Sequence, residues 1–435
     1  MLINNKYIQN IIIIYFALYM IIGNAGRFIN VSWASDNLLI TEVVLYILVI
    51  SFYASKVKKI KELTKNNIEI IGIMITFLVF SLIGFIYHNG EYIKSIIYSI
   101  RIVLQLSATL MFASVLLSKY KKDILKVFNV IIYTFLGYTV VGWTMLLAFP
   151  ESYKLWEVLA DIGIKFNGDP HISRFMGTFF DPNYISSILI IPILICVYIY
   201  FNCEQVKRDW IYLIYSIYFT VCMLFTYSRS GILGLAISSF IIMFIFVYRI
   251  VKKREKFDKK AKILSITAVS MLIVVLIFKA ETIIRLISRF SNIFNDPSAQ
   301  HRFIDFSKGI KFMFSSFYVS LFGIGYNYVQ YDLDTVLGAL DSSIINTFIC
   351  FGFIGTSILM YFLIKYFKKI IQGYKKLDSK FIKYFMVYII AALVICNFNN
   401  LLYYQFFIIP LLTLLNYGYI YNYEQHEEDN NLNNK

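Results

Sequence analysis

Apolar runs of about 20 residues recur from one end of this 435-residue chain to the other, and nothing else in it constrains the fold as tightly. Coiled as a helix, a run of that length matches the hydrocarbon core of a bilayer, which is about 30 Å thick. In lipid every backbone N–H and C=O must be satisfied within the protein, so only helices or closed barrels can span it. The runs are continuous rather than alternating, which excludes a barrel. The first run follows a short start containing Lys6 and lacks a small-residue cleavage site. It reads as a retained helix and not as a removed signal peptide. The expected fold is an all-α integral membrane protein.

Twelve spans are expected: Ile8–Ile22, Leu38–Ser55, Ile68–Tyr87, Ser95–Ser118, Val127–Phe149, Ile185–Phe201, Ile211–Thr226, Ile232–Val247, Ile263–Phe278, Ser342–Ile364, Tyr384–Cys396 and Phe406–Ile420. Lysine and arginine collect at Lys56–Lys61, Lys119–Lys126, Lys207-Arg208, Arg249–Lys262 and Lys365–Lys383. Each cluster follows an even-numbered span. Placing them in the cytoplasm satisfies the positive-inside rule and puts both termini inside. The net charge of +15 is then a signature of topology, and no nucleic-acid partner is needed to explain it. The outer face receives the loops 150–183 and 279–341, the second being the large one between spans nine and ten. Residues 1–421 form one polytopic domain without an internal repeat or linker. The acidic, Asn-rich tail 422–435 is expected to be disordered.

The unusual residues fall on that outer face. Arg174-Phe-Met-Gly-Thr-Phe-Phe-Asp-Pro-Asn183-Tyr184 combines an arginine, a glycine turn, an aromatic pair and a helix breaker, directly before a hydrocarbon run. It fits a re-entrant turn lining a cavity, or a surface loop entering a helix with Asp181 or Asn183 as N-cap and Pro182 in the first turn. Arg229 stands between Ser228 and Ser230 in a tight turn joining two apolar helices. A charge there is costly unless paired or functional, the plain alternative being a side chain that snorkels to head groups. Arg302 follows His301 in the large loop. Around them, Glu281–Phe294 and Arg302–Phe314 are amphipathic. In the second, Phe303, Phe306, Ile310 and Met313 lie on one side and Asp305, Lys308 and Lys311 on the other. Such segments lie in the membrane interface or form a lid on the bundle.

Several guanidinium groups on one face suit a diphosphate, which arginine grips bidentately at any relevant pH. A diphosphate is a good leaving group and needs charge stabilisation more than a strong acid. What remains is a base to deprotonate an attacking hydroxyl. The candidates are Asp341, His301, Asp305 and Asp181, with Asp341 best placed at the junction of loop and helix. Arg101, inside the fourth span, faces either a cavity or a buried partner. Asp332-Leu333-Asp334 could hold a divalent cation, although that spacing is common by chance. Four scattered histidines argue against a zinc site, and five cysteines in or beside helices form no disulfide framework. No nucleotide-binding fingerprint and no Gly-x-Ser-x-Gly occurs.

The stretch Arg174–Asn183 resembles the Arg-x-x-Gly-Thr-Phe-x-Asn-Pro-Asn signature of bacterial O-antigen polymerases and ligases. Tyr227-Ser-Arg-Ser-Gly231 is similar to that family's Ser-Arg turn two helices later. His301-Arg302, then Gly323-Ile-Gly325, Asp341-Ser-Ser and Phe351-Gly-Phe-Ile-Gly355 resemble its large outer loop and following helix. The likeness runs over Phe149 to Phe367. It implies a GT-C-like glycosyltransferase of the bacterial inner membrane, acting outward on undecaprenyl-diphosphate-linked oligosaccharides without metal or cofactor. It implies a diphosphate near Arg174, Arg229 and Arg302, with Arg101, Asn183 and Ser228 in support. Membrane lipids and a chain-length regulator are the further partners. Where the ligase branch has a histidine this chain has Asp341, which favours an O-antigen or capsule polymerase. The alternatives are an O-antigen ligase and, from another class, a lipid-linked oligosaccharide flippase.

Overall fold

The computed structural model describes residues 5–28, 40–55, 67–87, 93–121, 123–162, 164, 171–203, 206, 208–253, 297–326 and 340–433. Fourteen α-helices lie among them: α1 (Lys6–Ile22), α2 (Ile40–Ala54), α3 (Ile68–Tyr87), α4 (Ile93–Tyr120), α5 (Ile124–Ala148), α6 (Ser152–Asp161), α7 (Pro182–Asn202), α8 (Trp210–Leu224), α9 (Arg229–Lys253), α10 (Pro297–Met313), α11 (Phe317–Phe322), α12 (Ser343–Leu377), α13 (Phe381–Ile395) and α14 (Gln405–Asn433). Among the described residues the extended pairing is one isolated bridge, Glu151 with Ile172.

Eleven of the twelve expected spans coincide with one of these helices, and the ninth, Ile263–Phe278, lies outside the described residues. Among the described residues six helices, namely α1, α3, α4, α5, α7 and α12, are long and apolar enough to cross a membrane. α2, α8 and α13 are apolar but have 15 residues each, a rise of about 22 Å against a core of about 30 Å. The basic segment Lys365–Lys383 is helical as far as Leu377, and α14 runs past Asn422 to Asn433.

The chain divides into two compact units. The first comprises residues 1–130, 302–382 and 396–435. In it α4 packs against α1, α2, α3 and α14, and α12 packs against α3, α11 and α14. Its helices are inside out by the standards of a water-soluble protein. Ile11, Ile14, Leu18 and Ile22 of α1, and Ile75, Val79, Leu82 and Ile86 of α3, are exposed along one stripe each. Lipid removes the cost of such stripes, and buried polar groups then join helices. Asn416 Nδ2 donates to Thr109 Oγ1 at 2.8 Å, and the Tyr366 hydroxyl donates to Asn416 Oδ1 at 2.6 Å.

The helix α12 is broken at Gly352, whose φ is +59°. The break frees the carbonyls of Ile349 and Cys350, which accept hydrogen bonds from the N–H groups of Ile324 and Gly325, each at 3.0 Å. This backbone approach excludes side chains. A Cβ on Gly352 would lie 2.4 Å from the carbonyl of Leu321, and one on Gly323 would lie 2.5 Å from that of Cys350. The two glycine motifs of the large loop and its following helix are thus the two halves of one joint.

The second unit comprises residues 131–301 and 383–395. Its centre is α7, buried along most of its length from Ile185 to Tyr200 and packed against α8 and α9. Gly231 lets α9 approach Ser186 of α7 closely.

Candidate functional site

The loop carrying Arg174 is pinned at its base. Ser152 N–H donates to the His171 carbonyl at 2.9 Å, and Ser173 N–H donates to that of Pro150 at 2.6 Å. Beside this clamp, hydrogen bonds from Lys154 and Tyr153 hold the Glu151 carboxyl below its ordinary range. Aromatic side chains of α5 then position the motif itself. Phe175 packs against Gly142 and lies 5.4 Å from the Trp143 ring, and Phe179 lies 4.3 Å from the Tyr138 ring. The Tyr138 hydroxyl donates to the Met176 carbonyl at 3.1 Å. It occupies the space where a side chain on Gly177 would stand, and Gly177 has φ +54°. A 3-10 turn, Gly177–Phe179, closes the bend.

The motif ends as a helix start. Asp181 caps α7, accepting from Asn183 N–H at 2.7 Å and Tyr184 N–H at 3.4 Å, with Pro182 in the first turn. The helix entry expected here, with Asp181 as N-cap and Pro182 in the first turn, describes its end, while residues 175–180 are buried and do not lie at the surface.

Arg174 is half-buried, and it joins this motif to the Ser-Arg turn. Its Nε donates to the carbonyl of Thr226 at 2.8 Å, and its Nη2 lies 3.5 Å from Asn183 Oδ1. The next residue, Phe175, donates its N–H to the carbonyl of Phe225 at 2.8 Å. Two motifs about fifty residues apart thus pair edge to edge. The turn is held from within as well. Ser228 Oγ accepts from Gly231 N–H at 3.4 Å and lies 3.0 Å from Ser230 Oγ, so it caps α9. Arg229 is the first residue of that helix and is half-buried. A helix start also carries partial positive charge, which adds to any attraction for an anion there.

The other expected site residues belong to the first unit or border it. Arg302, on α10, donates through Nε to Asp341 Oδ2 at 2.7 Å. Asp341 immediately precedes Ser342, which caps α12 through Ile345 N–H at 3.3 Å. His301 and Asp305 lie on the same helix as Arg302, with His301 exposed and Asp305 half-buried. Asp332-Leu333-Asp334 and Glu281–Phe294 lie outside the described residues.

Arg101 has a buried partner. Its Nε and Nη2 meet Glu42 Oε1 and Oε2 at 2.8 and 2.6 Å, a two-pronged pair. Gln105 Nε2 adds a bond to Glu42 Oε1 at 3.2 Å and another to Gln405 Oε1 at 2.9 Å. The Tyr46 hydroxyl also donates to Glu42, at 3.1 Å. Reading the sequence did not single out Glu42, which is fully buried near the start of an apolar helix. A lone carboxylate facing a lone arginine two helices later was the available signal. Tyr138 was missed too, because its role depends on a neighbour distant in sequence.

The apolar helices and the family comparison together mark this as a membrane protein. No curated protein matches the chain. The family model described as O-antigen ligase matches residues 214–360, about a third of the chain, from α8 through the Ser-Arg turn and the large loop into α12. Arg229, Arg302 and Asp341 lie inside this segment, and Arg174 is tied to it through Phe225 and Thr226. The match is consistent with the O-antigen polymerase and ligase family.

Proposed function

We propose that this chain is a polysaccharide polymerase for O-antigen or capsule, working on the outer face of the bacterial inner membrane. The donor is a glycan linked to undecaprenyl diphosphate, and the acceptor is a lipid-linked repeat unit. The supporting observation is the pairing of the Arg174 motif with the Ser-Arg turn, because it ties a partly buried guanidinium to the segment that resembles O-antigen ligases. In this reading Arg174 and Arg229 stabilise the diphosphate as charge develops on it. The acceptor hydroxyl attacks the anomeric carbon of the donor sugar and loses its proton to a base. The bond from that carbon to the diphosphate oxygen breaks, and the lipid diphosphate leaves with the electron pair.

Asp341 is the proposed base. It is positioned by its 2.7 Å pairing with the guanidinium of Arg302. A phosphate that competes for Arg302 would release it. The twelve-span, GT-C-like topology with both termini in the cytoplasm belongs to this proposal, as does a chain-length regulator as partner.

The match to a family described as O-antigen ligase favours a second reading, transfer of the finished glycan to a different acceptor. A deletion strain separates the two. Loss of a polymerase leaves single repeat units on the final acceptor, whereas loss of a ligase leaves polymer stranded on its lipid carrier. Unchanged glycans in that strain would overturn both.

A further inference from the structure

The helix α10 divides its surface three ways from Arg302 onward. Arg302, Asp305, Gly309, Phe312 and Met313 form the side turned to the protein. Gly309 lies against Ile345 and Leu340, and Phe312 and Met313 pack on the cluster of Val319, Ile324, Leu340, Ile345 and Ile349. A second side carries Phe303, Phe306, Ile310 and Phe314, which are 58, 40, 40 and 60% exposed. The third side presents Lys308 and Lys311, both exposed, with the exposed Ile304 between them. This partition corrects the sequence expectation. Met313 leaves the apolar side and Asp305 leaves the basic side, since both turn inward. Phe312 and Met313 pack on the bundle, whereas Phe303, Phe306, Ile310 and Phe314 point away from it, which a lid alone does not account for.

The exposed apolar side does not end with the helix. The Phe314 ring lies 6.1 Å from that of Phe353 on α12. Phe353 begins an exposed apolar surface on α12 that continues through Ile354, Ile358, Tyr361 and Ile364. α12 is long and apolar enough to cross a membrane, and that surface is of the kind that suits acyl chains. A face continuous with it, flanked by lysines, has the build of a helix lying in the interface.

We propose that α10 is seated in the bilayer by Phe303, Phe306, Ile310 and Phe314, with Lys308 and Lys311 in the layer of lipid phosphates. The occupant of the apolar face is the phospholipid bilayer. Arg302, and the Asp341 it pairs with, are thereby held at the depth of lipid head groups and not in bulk water. The inference rests on the membrane-spanning character of α12 and not on the transferase reaction, so each can fail without the other.

The test uses the full chain in proteoliposomes of phosphatidylethanolamine and phosphatidylglycerol, with Cys203→Ser to remove the half-buried thiol and leave four buried ones. Spin labels go on Phe306→Cys, Ile310→Cys and Lys308→Cys, with Phe303→Cys as a second reporter should one fail to insert. Collision with oxygen, which concentrates in lipid, is compared with collision with a water-soluble nickel chelate. The ratio of oxygen to nickel accessibility should be several-fold higher at positions 306, 310 and 303 than at 308. Equal ratios at all positions would overturn the proposal in favour of an aqueous surface. Labels at 306 and 310 shielded from both reagents would overturn it in favour of a protein partner or a second copy.

Discussion

Each unit of this protein joins two motifs that are distant in sequence, but by different chemistry. In the unit built around α12, backbone meets backbone. Gly352 breaks the helix, and the Gly323-Ile324-Gly325 segment takes up the carbonyls the break releases. In the unit built around α7, a guanidinium and one backbone bond join the Arg174 loop to the Ser-Arg turn. A joint made of glycines has no side chain with which to act on a substrate. A joint made with an arginine brings a cationic group into the turn. The first joint should therefore reveal itself in folding, and the second in chemistry.

Four substitutions test that separation, in order of falling effect. Gly352→Val combines a left-handed backbone with a Cβ clash against the Leu321 carbonyl. It should leave no folded protein in the membrane fraction, by immunoblot and by size-exclusion in detergent. Wild-type yield would show that the glycine joint is dispensable. Glu42→Ala strands Arg101 beside a buried network and should lower stability by about 3–5 kcal/mol, read by thermal unfolding in detergent. A change below about 1 kcal/mol would mean that water already shares this pair.

Arg174→Lys keeps the charge but loses the planar fork that reaches Thr226 and Asn183. Polymer formation in a complemented deletion strain should fall by about 100-fold, with the unfolding temperature close to wild type. A large loss of stability with normal glycan ladders would reverse the assignment and make this joint structural. Ser228→Ala removes the cap of α9 and should cost about 1 kcal/mol in stability. If it instead abolishes glycan synthesis while the protein stays folded, the hydroxyl belongs to the chemistry as well.

Much of the fold could be read directly from the chain. Eleven of the expected apolar segments are helices, because runs such as Ile68–Tyr87 have no other way to satisfy their backbone in lipid. Their ends were less legible: the expected segments Ile211–Thr226 and Tyr384–Cys396 are the helices Trp210–Leu224 and Phe381–Ile395, because helix ends depend on caps and neighbours. The Arg174 motif and the Ser-Arg turn stood out because polar residues abut hydrocarbon. The pairing between them did not, since it runs through the backbone of Phe225 and Thr226, which carries no sequence signal. The partner of Arg101 was left open for a similar reason: an arginine within an apolar run announces a cost but not how it is met.

Local composition by itself determined that this chain is a helical membrane protein and where its polar motifs interrupt the hydrocarbon. Those are properties of contiguous residues, set by the solvation of each segment alone. Which residues meet was decided by tertiary structure: Arg174 with Thr226, Arg302 with Asp341, Arg101 with Glu42, and the break at Gly352 with the turn at Gly323. Such contacts depend on how helices cross and which backbone groups a bend leaves unsatisfied, and these are settled only when the segments pack.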